Sequence, residues 1–427
     1  MKKLVSFLLA LSCAFSLASC AGSKKDDKGT VYYLNFKPES DSAWQEIARE
    51  YTEKTGVTVK VITAAAGEYE STLTAEMSKD SAPTLFQCGT EAALDTWGDF
   101  CLDLTGTKVF DEMTTEDFNL KGKNGETLAI GYCYEAFGLI VNKELLFRAG
   151  YTVEEINSFE ALKTVAEDIT ARSEELGFAA FTSAGLDGSS SWRFSGHLAN
   201  MPLYYEFKRD KVTNKPAEIK GTYLDNYKNI WDLYINNSTA RPTELSVKTG
   251  DESEAEFAQG RAVFFQNGTW EFSNLTEKYD MDPENLAMIP IYCGIEGEEE
   301  AGLACGTENC WAVNSTASEK DIKATLDFMY WVVTSDDGTD MMAEQFGPIP
   351  FKEAKESENV FFTDANEYIE RGFEVVTWAF SYTPNVETWR SAVVSSLMAY
   401  SSGEGDWESV ETAFVDGWKT QYKAEQQ

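Results

Sequence analysis

The chain has a single histidine, His197, among its 427 residues. Zinc sites built from several imidazoles are therefore excluded, and no Ser-His-Asp triad is evident. A lone histidine in a chain of this length is more often packed or solvated than catalytic, so we expect His197 to be structural. The sequence indicates no metal site and no cofactor.

Basic residues are also scarce, because 36 Lys and Arg stand against 71 Asp and Glu and leave a net charge of -35. Nucleic acid is disfavoured as a partner, since phosphate contacts need clusters of Lys and Arg. The negative charge fits a secreted protein that self-repulsion keeps soluble and monomeric. A chain of 427 residues is too long for one small core, so we expect two lobes.

The cysteines match no zinc pattern, and the spacing in CGTENC is too long for a CxxC redox pair. Cys13 and Cys20 lie near the N-terminus. We expect the others to be buried free thiols, although a bridge between Cys305 and Cys310 is an open alternative. These remaining cysteines are Cys88, Cys101, Cys133, Cys293, Cys305 and Cys310.

One hydrophobic run, residues 4–17, follows Lys2 and Lys3 and is too short to span a membrane as a stable helix. It ends in Leu-Ala-Ser-Cys, which resembles the bacterial lipoprotein cleavage box. We therefore expect a signal peptide over residues 1–19, a lipid on Cys20 and a polar tether over residues 20–29. An ordinary secretory signal is the alternative. The lipid alone would hold the protein on the extracytoplasmic face of the cell membrane.

The hydrophobic pattern predicts an α/β fold. Residues 31–36, 57–62 and 84–87 have strand patterns separated by helical patterns, which predicts parallel strands with right-handed crossovers. The loops after the first and third strands would then open on one edge of the sheet, where such folds bind ligands. Residues 128–142 predict two further strands, broken near Tyr134. Tyr227, Trp231 and Tyr234 share one face of a predicted helix, and we expect that face to be core.

Residues 256–275 are the most informative internal segment. A helix ends at Gly260, residues 262–265 form a buried strand, residues 266–269 turn, and Trp270 opens a second helix with Thr269 as its N-cap. This order places an aromatic side chain at the carboxyl end of a strand, in the expected crevice.

Four segments in order resemble the bacterial extracellular solute-binding proteins of the maltose-binding type. They are Ser-Ala-Pro-Thr-Leu-Phe at 81–86, Gly-Leu-Ile-Val-Asn-Lys-Glu-Leu-Leu at 138–146, the run from Phe257 to Trp270, and the strand at 309–314 with its following helix. Thr84 departs from the family pattern, which usually has Asp there.

The resemblance implies a two-lobed periplasmic-binding-protein-like (type II) α/β fold with a hinge between the lobes. The N-lobe would contain residues 30–132 and 298–345, and the C-lobe residues 133–297 and 346–427. The chain would cross between them near residues 132–134, 292–302 and 346–351. The implied function is that of a substrate-binding lipoprotein, which closes on a carbohydrate, preferably an oligosaccharide, and delivers it to the membrane permease subunits of an ABC importer.

A sugar offers an apolar C–H face and a rim of hydroxyl groups, so its site needs flat aromatic surface and fixed polar groups. Carboxylates are favoured acceptors, because charge-assisted hydrogen bonds are stronger than neutral ones. Trp270 is the first candidate for stacking, and the resemblance places Glu135 and Trp389 near ligand as well. The full set of predicted ligand-binding residues is Trp270, Glu135, Trp192, Gln87, Glu91, Thr90, Phe36, Asn35, Glu39, Trp389, Arg390, Glu308 and Asn309.

Several of these residues have structural alternatives. Trp270 and Trp389 can be core residues, and Trp192 can anchor its own loop. The remaining alternatives are a solvated hinge carboxylate for Glu135, an N-cap for Thr90 and a turn for Glu308 and Asn309.

Two other functions stay open. The same fold can bind a polyamine, a phosphate ester or a peptide. A lipid-anchored glycoside hydrolase needs two carboxylates at a set separation, which a sequence with 71 acidic residues does not reveal. We expect a binding protein and not an enzyme.

Overall fold

The computed structural model describes residues 28–426 of the chain. The predicted signal peptide and Cys20 lie outside the described residues. The strands are β1 (Thr30–Asn35), β2 (Thr58–Thr63), β3 (Leu85–Gln87), β4 (Leu120–Lys121), β5 (Thr127–Gly131), β6 (Glu135–Asn142), β7 (Ala179–Phe181), β8 (Ala262–Gly268), β9 (Leu286–Ile289), β10 (Ala301–Gly306), β11 (Cys310–Val313) and β12 (Glu374–Thr377).

Helices cover both sheets that these strands form. They are α1 (Asp41–Thr55), α2 (Tyr69–Met77), α3 (Glu91–Trp97), α4 (Lys108–Asp111), α5 (Lys143–Ala149), α6 (Phe159–Ala171), α7 (Ser173–Leu176), α8 (Ala199–Asp210), α9 (Leu224–Asn236), α10 (Gly250–Ala258), α11 (Glu271–Ser273), α12 (Glu319–Thr334), α13 (Asp336–Phe346), α14 (Val360–Glu370), α15 (Val386–Ser402) and α16 (Trp407–Glu425). A π-helical segment, Arg193–Leu198, leads into α8.

The first sheet has the strand order β2-β1-β3-β11-β5-β4. β1 pairs in parallel with both β2 and β3, which confirms the predicted parallel arrangement of the first three strands. Val31 and Tyr33 face one core of this lobe and Leu34 faces another, so the sheet is buried on both sides. The loops after β1 and β3 therefore leave the same edge of the sheet.

The second sheet has the order β12-β10-β6-β8-β7, and β9 also pairs with β6. Every residue of β6 is buried. Phe137 and Leu139 enter the large core on one side, and Ala136 and Ile140 enter a smaller core on the other, as the two-residue period of a strand requires. The first sheet is the centre of one lobe and the second sheet the centre of the other. The α/β, two-lobed expectation is confirmed.

The chain passes between the sheets at residues 132–134, between β5 and β6. A second passage lies at residues 307–309, because β10 still pairs with β6 in the second sheet and β11 pairs with β3 in the first. The sequence predicts this passage earlier, at residues 292–302, and places residues 298–345 in the first lobe, whereas β10 within that range belongs to the second sheet. After α13, Phe351 still bridges to Met113 of the first lobe, so the third passage follows it.

The segment around Trp270 differs from expectation in two respects. β8 continues through Gln266, Asn267 and Gly268, because these residues pair with Leu139, Gly138 and Phe137 of β6. The predicted turn is therefore wrong at residues 266–268, and the chain turns at Thr269 and Trp270. Thr269 does not cap the next helix, since its hydroxyl accepts a hydrogen bond from the Ala136 N–H at 3.3 Å. Gly260 has a φ of +68°, which confirms the left-handed end of the preceding helix.

The remaining core predictions hold. Tyr227, Trp231 and Tyr234 of α9 are buried together in the large core. Among the described residues the six cysteines are unbridged, so the alternative of a bond between Cys305 and Cys310 is excluded in this structure. Within residues 28–426, no helix is both long enough and apolar enough to cross a bilayer.

Candidate functional site

Lys37 joins the two lobes. It follows β1, and its backbone is held by Asn35, whose Oδ1 accepts from the Lys37 N–H at 3.1 Å and whose Nδ2 donates to the Lys37 carbonyl at 2.7 Å. The Lys37 ammonium lies 2.5 Å from Glu135 Oε1, at the first residue of β6, and 3.1 Å from Glu39 Oε1. The side chains of Lys37 and Glu135 are only 4% and 8% exposed.

Lys37 stays protonated although it is buried. Desolvation lowers the pKa of the Lys37 ammonium, but the carboxylates of Glu135 and Glu39 act in the opposite direction and the net result is a raised pKa. The group is therefore a permanent cation at neutral pH. It partly neutralises the two carboxylates that it contacts.

Trp270 is a further neighbour of the same ammonium. Its ring centroid is 5.4 Å from Lys37 Nζ, within the range of a cation–π contact. The indole folds back over Gly268, where a Cβ atom would stand 2.1 Å from the ring, so no other residue fits at that position without displacing Trp270. Trp270 is partly exposed, and one aromatic side chain near its ring is Trp192, with ring centroids 6.0 Å apart.

His197 completes the aromatic wall behind Trp270. Its imidazole stacks on Phe137 with centroids 4.1 Å apart and planes 7° apart, and it lies 5.4 Å from the Trp270 ring. Burial lowers the pKa of His197 well below its ordinary value, and the cations Arg390, Arg193 and Lys37 lower it further. The imidazole is thus neutral and packed, as expected of a structural histidine.

Glu308 lies at the second passage between the lobes. Burial raises the pKa of its carboxyl, while the positive charge of Arg390 lowers it, and Glu387 and Glu135 add to the increase. The Glu308 carbonyl accepts from Gln87 Nε2. Gly89 also lies close to this carbonyl, because a Cβ at Gly89 would stand 2.4 Å from the Glu308 carbonyl oxygen. The loop after β3 therefore packs tightly against residues 307–309.

Arg390, at the start of α15, is near this acidic group. Its guanidinium is 3.4 Å from Glu387 and lies 5.6 Å from the centre of the Phe380 ring. Phe380 stacks in turn on Trp378, with centroids 5.4 Å apart. Both rings are buried in the core of the second lobe, so Arg390 packs against the edge of that core.

Other predicted residues have mainly structural roles in this conformation. Thr90 caps α3 by accepting from the Ala93 N–H at 3.0 Å, which is the alternative that the sequence left open, and Glu91 is exposed in the first turn. Phe36 is partly buried against Tyr69, with ring centroids 5.3 Å apart. Asn309 is fully buried and accepts from the Tyr132 hydroxyl at 3.3 Å.

Trp389 is in the core of the second lobe. It is 1% exposed, its indole N–H donates to the Phe414 carbonyl at 2.9 Å, and its ring packs on Phe414 and Trp418. The two last helices, α15 and α16, enclose it. A side chain in this position has no surface to present to a ligand, so the predicted ligand contact of Trp389 is replaced by a packing role.

The structure therefore brings Lys37, Glu39, Glu135, Trp192 and Trp270 together between the lobes. Lys37 is not among the residues predicted from the sequence, although Asn35, Phe36 and Glu39 around it are. Its position between Phe36 and Pro38, directly after a strand that ends at a crevice, was the available signal. Among residues 28–426, no group of three or more His, Cys, Asp or Glu side chains is arranged to hold a metal ion.

Solved structures share this two-lobed architecture. RafE in complex with raffinose aligns with a TM-score of 0.73 at 15% identity, over 92% of this chain and 99% of RafE. A solute-binding protein from Thermotoga lettingae bound with α-D-tagatose has a TM-score of 0.70 at 14% identity, over 92% and 100%. A sugar transporter from Bacillus licheniformis in complex with stachyose has a TM-score of 0.68 at 14% identity, over 92% and 100%. The fold is thus that of two-lobed solute-binding proteins.

Residues 46–367 match the family model of the bacterial extracellular solute-binding proteins. The chain belongs to this family. Comparison with curated protein sequences gave no match.

Proposed function

We propose that the protein binds a carbohydrate, preferably an oligosaccharide, between its lobes and delivers it to an ABC importer. The observation that carries this proposal is the partly exposed Trp270, whose ring lies 5.4 Å from the Lys37 ammonium of the opposite lobe, which itself contacts Glu135 and Glu39. A flat aromatic surface next to charged hydrogen-bonding groups matches the two faces of a sugar. Three structural neighbours were solved with raffinose, α-D-tagatose and stachyose, which supports the same ligand class.

The binding mode that we propose is closure about the three chain passages. Lys37 and Glu39 move with the first lobe, and Glu135, Trp192 and Trp270 move with the second. A second cross-lobe pair, Asp95 with Lys215 at 3.7 Å, lies farther along the same boundary. A ligand that contacts both lobes favours the closed state in proportion to its greater affinity for that state. No covalent bond is made or broken.

Membrane attachment and partners complete the proposal. We assign a lipid to Cys20 and place the protein on the extracytoplasmic face of the membrane, where the permease subunits of the importer receive the closed form. Replacing Cys20 with Ser should release the protein from the membrane fraction of its host. Continued membrane attachment of Cys20→Ser would contradict this assignment.

The ligand class is tested by thermal denaturation of the purified protein with monosaccharides, raffinose, stachyose, malto-oligosaccharides, amino acids and polyamines. A ligand that binds only the native state raises its thermal midpoint. We expect a rise with at least one carbohydrate and none with amino acids. If no carbohydrate raises the midpoint but another class does, the carbohydrate assignment is wrong.

A further inference from the structure

The surroundings of the Lys37 ammonium have the chemistry of an ammonium-binding site. Glu135 and Glu39 place carboxylate oxygens 2.5 and 3.1 Å from Nζ, and the Trp270 ring lies 5.4 Å away. Carboxylates and an aromatic face are the groups that recognise organic cations. In this chain the cation is supplied by the protein itself.

The rest of the molecule would attract cations without discrimination. Its net charge of -35 raises the local concentration of positive solutes around the whole surface. If amines are excluded, the groups that exclude them must therefore lie within the binding site. An incoming amine would have to displace a lysine that is 4% exposed and already paired with two carboxylates.

We propose that Lys37 determines the charge selectivity of the interlobe site by occupying its ammonium position, so that cationic solutes are excluded. The location of this site rests on the proposed function. Glu135 is the carboxylate that binds the ammonium at this position. Its side chain is 8% exposed, and Lys37 is its direct ion-pair partner. Removal of the lysine side chain converts the same residues into a receptor for a free primary amine.

The test is chemical rescue. Lys37→Ala removes three methylene groups and the ammonium, which together correspond to n-propylammonium. Thermal midpoints are measured for the full chain and for Lys37→Ala with n-propylammonium chloride, putrescine dihydrochloride, or sodium chloride at matched ionic strength. We expect Lys37→Ala to gain about 2 °C in n-propylammonium at roughly ten times a millimolar dissociation constant, and the unsubstituted protein to gain nothing beyond the salt control.

The matched control is Lys37→Ala combined with Glu135→Gln, which also removes the carboxylate closest to the ammonium position. This double variant should lose the response to n-propylammonium. An equal response in the double variant, or no response in folded Lys37→Ala, would overturn the proposal. So would a rise in the midpoint of the unsubstituted protein with either amine.

An unfolded Lys37→Ala is also informative. In that case circular dichroism should show recovery of folded protein as n-propylammonium is added, and lack of recovery counts against the proposal. The carbohydrate screen of the unsubstituted protein is an independent measurement. If no carbohydrate stabilises the unsubstituted protein but Lys37→Ala gains amine binding, then the proposed function fails while the selectivity role of Lys37 stands.

Discussion

The Lys37 ammonium lies 2.5 Å from Glu135 Oε1 and ties the loop after β1 to the first residue of β6. Lys37 lies in the loop after a strand of the first sheet and Glu135 opens a strand of the second, so this ion pair spans the two lobes. Because both side chains are buried, the pair should make a measurable contribution to stability.

We expect Glu135→Gln to lower the free energy of unfolding by about 3 kcal/mol, because it leaves a buried ammonium without its closest carboxylate. Lys37→Met combined with Glu135→Gln should lose less than the sum of the two single changes. Urea denaturation of the four proteins measures this coupling. The exposed pair Lys323 and Asp327 is the control, with an expected coupling of about 0.5 kcal/mol or less. Additive losses at Lys37 and Glu135 would contradict the buried pair.

His197 provides a direct probe of the aromatic wall, because it is the single histidine of the chain. Burial and the nearby cations lower the pKa of its imidazole well below the ordinary value. We expect its NMR signals, recorded on protein without a histidine tag, to stay those of a neutral imidazole between about pH 5.5 and 8. A titration centred near pH 6.5 would show that the ring is solvated.

Glu271 should make stability fall as pH rises. Burial, and then the charges of Glu254 and Glu39, raise the pKa of this carboxyl from 4.5 to about 8. Between these values the unfolded chain has released the proton and the native protein has kept it, so stability falls as pH rises through this window and stays low above it. Glu271→Gln removes this contribution. Relative to the unsubstituted protein, its urea midpoint should therefore improve from pH 5 to pH 8, and a constant difference would contradict the prediction.

The cysteine thiols should differ in reactivity. Cys88, Cys101, Cys133, Cys293 and Cys310 are buried, whereas Cys305 is partly exposed. We expect iodoacetamide to label Cys305 faster than these five thiols in the native protein, and all six after denaturation in urea. Peptide mass spectrometry resolves each site. Native labelling of Cys310 at the rate of Cys305 would show that the passage at residues 307–309 opens readily.

Much of the fold follows from local sequence pattern. The first three strands and the break between β5 and β6 could be predicted, because the spacing of apolar residues and the length of each run identify buried strands. The end of β8 could not be predicted in this way, because Gln266, Asn267 and Gly268 are typical turn residues. Their pairing with β6 overrides that local preference, and this pairing is a property of the tertiary structure.

The candidate site was less predictable for a related reason. Trp270 follows a strand and could be found from sequence order, whereas Lys37 is a charged residue whose burial depends on the approach of the other lobe. Trp389 was misassigned because a Trp on an amphipathic helix carries no local sign of what covers it. Here α16 covers it, through Phe414 and Trp418.

The most direct test of a carbohydrate site at Trp270 compares two tryptophans. Affinity for the carbohydrate that raises the thermal midpoint most is measured by calorimetry on the unsubstituted protein, Trp270→Ala and Trp389→Ala. We predict that Trp270→Ala loses tenfold or more in affinity while staying folded, because the stacking surface is removed. Trp389→Ala should instead lose about 3–5 kcal/mol of stability, with little change in the affinity of the folded fraction. Unchanged affinity in Trp270→Ala would contradict the proposed site.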